Sequence, residues 1–309
     1  MTSALYYKPS NKCSASLALA LPLCVVAAYP FAWLYAWICY YIPEIIINFF
    51  ASFGYAMVIA ALVAVAAEVG NARNPWLMAV GAWVVGTAAW YLQWACWWNM
   101  VVHDAPRGPL DPAEVSSISV AMHPRWMLEQ MGYLYHRGAW EFHHVTISGG
   151  FDVVGWLAEY LLIVGIPIYL GYSIAASPYC EGTRRRAKSK EIPARLQFIK
   201  DCPTLVSRAE LQPDALPQLL ELALPLDDDY AHLTIEVCGV GEDNFASLDN
   251  VTVKWKDGKA DKTTHHVFQY LRISYATATA LIEKWSGPEH VHDKPKRARK
   301  PKKAAVPSE

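Results

Sequence analysis

LLIVGIPIYLGYSIAASPYCEGTRRRAKSK, residues 161–190, joins a long apolar run to a cluster of basic residues. The first twenty residues carry no charge, and the last ten contain five Lys or Arg. About 20 apolar residues are needed to cross the hydrocarbon core of a bilayer, and Lys and Arg beside a span stay on the cytoplasmic face. The stretch therefore predicts a membrane span that ends in the cytoplasm.

Three further segments of the chain lack charged residues and are long enough to span. They run from Lys12 to Glu44, from Glu44 to Glu68, and from Arg73 to Asp104. The last span, from about Val153 to Ala176, contains one acid, Glu159. The sequence therefore predicts an integral membrane protein with four transmembrane helices.

The distribution of basic residues predicts the orientation of the spans. Lys8 and Lys12 precede the first span and Arg73 separates the second from the third, whereas residues 41–44 contain no Lys or Arg. The long loop, residues 103–152, contains only three Arg. We expect a bacterial inner (plasma) membrane protein, multi-pass, with this loop outside and both termini in the cytoplasm.

Charged residues become common only after Glu181, which predicts a second part of different character. Leu233, Ile235 and Val237 alternate with polar residues as in a half-buried strand, and Ser274 precedes an apolar helical pattern as an N-cap. We predict a four-span membrane domain over residues 1–180, a small cytosolic α+β domain with an antiparallel sheet over residues 191–290, and a disordered polybasic tail over residues 291–309.

The cysteines predict no disulfide framework. Cys180, Cys202 and Cys238 fall on the predicted cytoplasmic side, which is reducing. Cys180 and Cys238 each lack a second Cys two residues further on, so a degenerate zinc ribbon is the weaker alternative.

Glu159 is the most informative single residue of the membrane domain. It lies about 6 residues into the fourth span, or roughly 10 Å below the outer boundary, and an ionisable group at that depth suggests a functional site. The topology brings Glu44, Asn99 and His103 to the same level, which would form a polar pocket that opens outward. The alternative is structural: Glu159 is protonated, or hydrogen-bonded to Asn99, Gln93 or a tyrosine, and holds the helices in register.

Tryptophans form a stripe on the third span, at positions 90, 94, 97 and 98. Those near the span end suit an aromatic belt at the membrane interface. Trp94 lies deeper, where it would line a hydrophobic ligand pocket or contact lipid and neighbouring helices. Ala82 and Gly86 on the same helix suit a close approach of two helices.

Five of the ten histidines lie in the long loop, and imidazole is a common metal ligand. Their spacing matches no metal-binding signature. His103, His143 and His144 are the candidate ligands if zinc or another divalent metal binds there; otherwise the sequence predicts no cofactor.

Basic residues after the last span predict contact with lipid head groups, through Arg184, Arg185, Arg186 and Lys188. The polybasic tail beside an anionic inner leaflet favours lipid over nucleic acid as a partner, and the alternative is a tail that only keeps the protein soluble.

Three functional hypotheses follow from these observations. The first is a non-enzymatic membrane-anchored accessory protein whose cytosolic domain contacts a protein partner. The second is binding, transport or sensing of a small molecule or ion at the outward polar site around Glu159. The third is a metal-dependent enzyme that uses the loop histidines. Assembly into an oligomer is left open.

Overall fold

The computed structural model describes residues 5–104, 115–138, 140–142, 145–224, 228–256 and 259–285. The chain divides into two units. The first, here called the membrane unit, is Pro9–Ser177, and the second, here called the sheet unit, combines Met1–Lys8 with Pro178–Glu309.

The membrane unit contains four helices that are long and apolar enough to cross a membrane, as predicted. They are α1 (Ser16–Tyr41), α2 (Ile45–Val69), α3 (Pro75–Asp104) and α6 (Gly150–Ala176). Between α3 and α6 the described residues form two short helices and a hairpin: α4 (Ser117–Ala121), α5 (Pro124–Arg137), β1 (Trp140–Phe142) and β2 (Val145–Ile147).

Small residues bring α3 and α6 close together; the sequence predicted a close approach at Ala82 and Gly86 without naming the partner helix. Ala82 is fully buried, and a Cβ placed on Gly86 would lie 3.0 Å from the Cα of Val164 and 3.1 Å from the carbonyl oxygen of Ile163. The backbones of the two helices therefore meet at Gly86, which leaves no room for a larger side chain.

The sheet unit is built on an antiparallel sheet flanked by helices, in agreement with the predicted α+β fold. Its strands are β5 (Lys188–Glu191), β6 (Leu196–Gln197), β7 (Tyr230–Val237), β8 (Asn244–Lys256) and β9 (Lys259–Ile273), with β5 and β6 both paired to β7. Helices α7 (Cys202–Leu211), α8 (Leu216–Leu219) and α9 (Tyr275–Trp285) complete it.

The N-terminal segment belongs to this sheet, which sequence reasoning did not predict. Tyr6 pairs with Leu271 of β9, and the backbone N–H of Tyr7 donates to the carbonyl of Tyr270 at 3.0 Å. The Tyr6 hydroxyl donates to Glu210 of α7 at 2.8 Å. Burial, together with this carboxylate, raises the pKa of Tyr6 to about 12.

The segment after α6 is also part of the sheet unit. A short hairpin, β3 (Tyr179–Cys180) with β4 (Arg185–Arg186), precedes β5, so the predicted basic cluster is folded rather than a linker.

Cys180 and Cys238 form a disulfide across 58 residues of sequence. The prediction of no disulfide is therefore wrong. Cys238 follows β7 and Cys180 ends β3, two positions that are distant in sequence and adjacent in the fold.

The N-terminus of α9 is fixed by a carboxylate from another segment. Ser274 caps the helix as predicted, accepting from the N–H of Thr277 at 3.1 Å. Asp214 in turn accepts from the backbone N–H of Ser274 at 3.2 Å and from the hydroxyl of Thr277. These hydrogen bonds hold the pKa of Asp214 below its usual value.

Candidate functional site

Each of the four long helices contributes one polar side chain to a cluster inside the membrane unit. Tyr35 comes from α1, Ser52 from α2, Gln93 from α3 and Glu159 from α6, and all four are buried. Glu159 is only 5% exposed. Polar groups inside the apolar part of a helix bundle are costly unless they pair with one another, so the cluster is a defined feature of this fold.

Hydrogen bonds connect the four side chains through Glu159 and Tyr35. The Oε1 atom of Glu159 accepts from the amide of Gln93 at 2.9 Å and contacts the hydroxyl of Tyr35 at 3.1 Å. The Tyr35 hydroxyl lies 2.8 Å from the hydroxyl of Ser52, and Ser52 donates to the backbone carbonyl of Asn48 at 2.8 Å. The predicted pairing of Glu159 with Gln93 and a tyrosine is confirmed.

The directions of these hydrogen bonds depend on whether Glu159 is ionised or protonated. Tyr35 and Ser52 each carry one hydroxyl hydrogen. When Glu159 is ionised it can only accept, so Tyr35 donates to it, and Ser52 donates either to Tyr35 or to the Asn48 carbonyl. A proton on the Oε1 atom would instead let Glu159 donate to Tyr35, Tyr35 donate to Ser52, and Ser52 donate to the Asn48 carbonyl. The protonation of Glu159 therefore determines which arrangements of the two hydroxyl hydrogens are allowed.

Two cavities adjoin Glu159. The smaller one, of about 20 Å³, is lined by Tyr35, Cys39 and Gln93 together with three tryptophans: Trp94, Trp97 and Trp140. It has room for about one water molecule. The larger one, of about 150 Å³, lies between α2 and α6 and is the size of a cavity that holds a benzene-sized molecule.

Asn48 is the polar side chain of the larger cavity that lacks a hydrogen-bond partner. It is 3% exposed, and among the described residues neither the oxygen nor the nitrogen of its amide is hydrogen-bonded. Each unpaired buried group of this kind costs roughly 1–3 kcal/mol. Asn48 lines the same cavity as Glu159 and Ser52, but both polar atoms of its amide are buried, so a ligand there would bind them only after the Asn48 side chain moves.

Trp140 borders both cavities and packs against α6. A Cβ on Gly155 would lie 1.9 Å from a ring carbon of Trp140, so the indole ring occupies the space that a side chain at position 155 would take. Gly155 lies one turn before Glu159. Trp140 was not predicted as a site residue, because the glycine that accommodates it gives no signal without the fold.

Of the ligand-binding residues that the sequence suggested, Trp94 and Glu159 line the smaller cavity. Glu44, which precedes α2, and Asn99, which is buried on α3, are not among the described residues that line either cavity.

The sequence predicted His103, His143 and His144 as metal ligands. His103 lies exposed in the last turn of α3. His143 and His144 fall outside the described residues.

The tryptophan stripe of α3 continues into neighbouring elements. Trp94 contacts Trp156 of α6 at 5.8 Å between ring centroids, and Trp98 contacts Trp126 of α5 at 5.8 Å, both edge to face. Such contacts add about 0.5–1.5 kcal/mol each beyond area burial. They hold α5 and α6 against α3 on the side where the polar cluster lies.

Comparisons with models of known protein families, with curated proteins and with solved structures find no match for this chain.

Proposed function

We propose that this chain is a multi-pass membrane protein that binds a small amphipathic molecule in the cavity beside Glu159, and that binding is linked to a proton on Glu159. The single observation that supports this most directly is a cavity of about 150 Å³ lined by Glu159, Ser52 and Asn48, of which Asn48 has a buried amide without a hydrogen-bond partner among the described residues. A purely structural role for Glu159 accounts for its bonds to Gln93 and Tyr35, but it does not account for Asn48.

The lining of the larger cavity defines the chemical class of the ligand. Ile45, Phe49 and Leu162 supply apolar walls, and Asn48, Ser52 and Glu159 supply the polar part of the lining. A molecule of about benzene size with one apolar face and one hydrogen-bonding edge fits this arrangement. A ligand there would lie beside both Ser52 and Glu159, which Tyr35 links by hydrogen bonds, and this link would connect ligand binding to the protonation of Glu159.

Labelling with a hydrophobic carbodiimide, which reacts with protonated carboxyl groups in apolar surroundings, tests the proton at Glu159. We expect modification of Glu159 in the full-length protein in detergent, with a yield that falls as the pH rises. Glu44→Gln is the matched control, because Glu44 is a carboxylate of the same unit that is not among the residues lining the cavities. Glu159→Gln should abolish the labelled peptide, and a yield independent of pH in the wild type would refute the linkage.

Thermal unfolding in the presence of small phenols, anilines and alcohols tests the cavity itself. A ligand at 100 times its Kd stabilises the folded state by about 2.7 kcal/mol. We expect at least one of these compounds to raise the Tm of the wild type and to lose this effect in Asn48→Leu. Equal shifts in the wild type and in Asn48→Leu would exclude the cavity as the binding site.

The arrangement of the chain supports a topology with both termini on one side. Tyr6 precedes the first span and pairs with Leu271, which follows the fourth. Four crossings return the chain to the side on which it started, so the pairing fits an even number of spans. With the Lys and Arg bias, we place both termini in the cytoplasm of a bacterial inner membrane.

In this orientation the β3–β4 hairpin and β5 present basic residues on the cytoplasmic side. Arg184, Arg185 and Lys188 are exposed, and Arg186 is half-buried. Each such charge near an anionic leaflet contributes about 1 kcal/mol of attraction. We propose that these residues contact lipid head groups.

A second candidate function is the anchoring of an interaction domain, favoured by the β8–β9 hairpin. Pairing of β8 with β7 ends at Val251, whereas pairing with β9 continues to Lys256, so the end of the hairpin extends past the sheet. Trp255 on this extension is 58% exposed. Affinity capture of the full-length protein from mild detergent, compared with Trp255→Ser, tests whether this extension binds a protein partner.

A further inference from the structure

A cleft of about 270 Å³ in the sheet unit brings the Cys180–Cys238 pair next to a carboxylate. The sulfur atoms of both cysteines and a carboxylate oxygen of Glu242 lie within 4.8 Å of one another. Cys180, Glu242 and the glycines Gly182 and Gly241 line this cleft. Nothing in the proposed function of the membrane unit uses these residues.

The loop that carries Cys238 and Glu242 is held in a defined shape by one buried side chain. Asn244 is fully buried, and its amide oxygen accepts from the N–H groups of Cys238 at 2.8 Å and Gly239 at 3.3 Å. Its amide nitrogen donates to the carbonyls of Gly239 at 3.2 Å and Glu242 at 3.0 Å. Gly239 and Gly241 adopt φ of 135° and 76°, which a side chain would oppose. Cys238 and Glu242 are therefore directed to the same side.

The position of the Glu242 carboxylate is also accommodated by the opposite hairpin. A Cβ on Gly182 would lie 2.7 Å from the Oε1 atom of Glu242, so a side chain at position 182 would displace this carboxylate from its present place. The other oxygen, Oε2, is buried and lacks a hydrogen-bond partner among the described residues. A carboxylate oxygen near two cysteine sulfurs gives a set of three ligand atoms of the types that bind zinc.

We propose that the reduced form of this pair, together with Glu242, binds Zn²⁺, and that disulfide formation and zinc binding exclude each other. Zinc is held by thiolates at about 2.3 Å and by carboxylate oxygen at about 2.0–2.2 Å in tetrahedral sites, which places ligand atoms roughly 3.5–3.8 Å apart. The present spacing needs small movements in two loops to reach this geometry. Two sulfurs and one oxygen leave the fourth position to water.

The redox step balances with a dithiol as the reductant. The dithiol gives two electrons and two protons to the Cys180–Cys238 bond, which breaks into two thiols, and the dithiol closes into its own disulfide. Zn²⁺ then replaces the two thiol protons, which pass to solvent. This chemistry fits the proposed cytoplasmic position of the sheet unit, where a disulfide is transient and a thiol pair persists.

Metal titration of the full-length protein in detergent tests the site. After anaerobic reduction we expect one Zn²⁺ per chain in competition with a chromophoric chelator, and Co²⁺ should give a sulfur-to-cobalt charge-transfer band. The oxidised protein should bind less than a tenth of an equivalent. Stoichiometry near zero in the reduced protein, or Co²⁺ binding without the sulfur band, would overturn the proposal.

Substitution of the carboxylate separates ligation from folding. Glu242→Gln keeps both cysteines, so disulfide formation on oxidation reports that the fold is intact, and the zinc affinity should fall at least about tenfold. Asp243→Asn is the matched control, because Asp243 lines the same cleft but pairs with Arg272 at 3.1 Å. Equal affinities in Glu242→Gln and wild type would refute the role of Glu242.

The state of the pair inside cells provides an independent test. Acid quenching followed by alkylation should find Cys180 and Cys238 as thiols in growing cells. A pair that is fully disulfide-bonded in cells would refute both the zinc site and the cytoplasmic placement, whereas it would leave the Glu159 site unaffected.

Discussion

Replacing Tyr35 with Phe should destabilise the membrane unit through the loss of one hydroxyl. This hydroxyl makes two contacts between helices, to Glu159 at 3.1 Å and to Ser52 at 2.8 Å. Hydrogen bonds between helices in membranes contribute about 0.6 kcal/mol on average and up to about 1.7 kcal/mol. In this variant Glu159 still accepts from Gln93, and Ser52 still donates to the Asn48 carbonyl. We therefore expect the free energy of unfolding to fall by about 1–2 kcal/mol.

The matched control for this substitution is Tyr55→Phe. The ring of Tyr55 stacks on that of Tyr35 with centroids 5.2 Å apart, and its hydroxyl makes one bond, to the carbonyl of Ala89 at 3.1 Å. Tyr55→Phe should therefore lower the free energy of unfolding by about 0.6 kcal/mol. Reversible unfolding of the protein in mixed micelles with increasing dodecyl sulfate measures both free energies.

A double-mutant cycle decides whether the bonds act as a chain. Tyr35→Phe and Ser52→Ala should together cost less than the sum of the single substitutions by at least about 0.5 kcal/mol, because each removes the same bond. Only Tyr35→Phe, and not Tyr55→Phe, should change the pH dependence of carbodiimide labelling at Glu159. Additive energies, or a Tyr35→Phe variant as stable as the wild type, would refute the chain of hydrogen bonds.

Three further predictions concern other parts of the molecule. Gly86→Ala should lower the free energy of unfolding by about 1–3 kcal/mol, because the added methyl group overpacks against α6. Gly165→Ala is the control, since its Cβ would have no neighbour within 4 Å and should not lower the free energy of unfolding. Titration with dodecyl sulfate compares the two variants. Because its pKa is lowered in the folded state, Asp214 stabilises the sheet unit at pH values above its unfolded pKa of about 3.9, and this contribution is lost as the pH falls through the lower folded pKa. Asp214→Asn should therefore reduce the fall in the free energy of unfolding at acid pH. An unchanged fall would contradict this prediction. Asn244→Asp keeps the acceptor but loses both donated bonds, so reduced protein should bind zinc more weakly while the disulfide still forms on oxidation.

The long-range features of this fold differ in how far the sequence could predict them. The spans, the α+β class and a close helix approach at Gly86 follow from local patterns: apolar length, alternation and small residues. Glu159 was found because a charge in an apolar run is conspicuous. Asn48 and Ser52 were missed because uncharged polar residues are common in spans, and their importance depends on which helix faces which.

Pairings between distant segments were beyond sequence reasoning. Cys180 and Cys238 are 58 residues apart, and the strand that contains Cys180 has two residues, too few to show a periodic pattern. Gly155 and Gly182 matter because of the side chains that occupy the space beside them, Trp140 and Glu242, and those neighbours are set by tertiary structure.

The pairing of Tyr6 with Leu271 has a consequence for biogenesis. Residues 5–7 are synthesised before the four long helices, whereas their strand partner on β9 follows more than 260 residues later, after all four. The sheet unit therefore cannot be completed during synthesis of the membrane unit, and the N-terminal segment has to stay unpaired until β9 is released. A bulky fusion at the N-terminus should for this reason impair the last stage of assembly rather than membrane insertion.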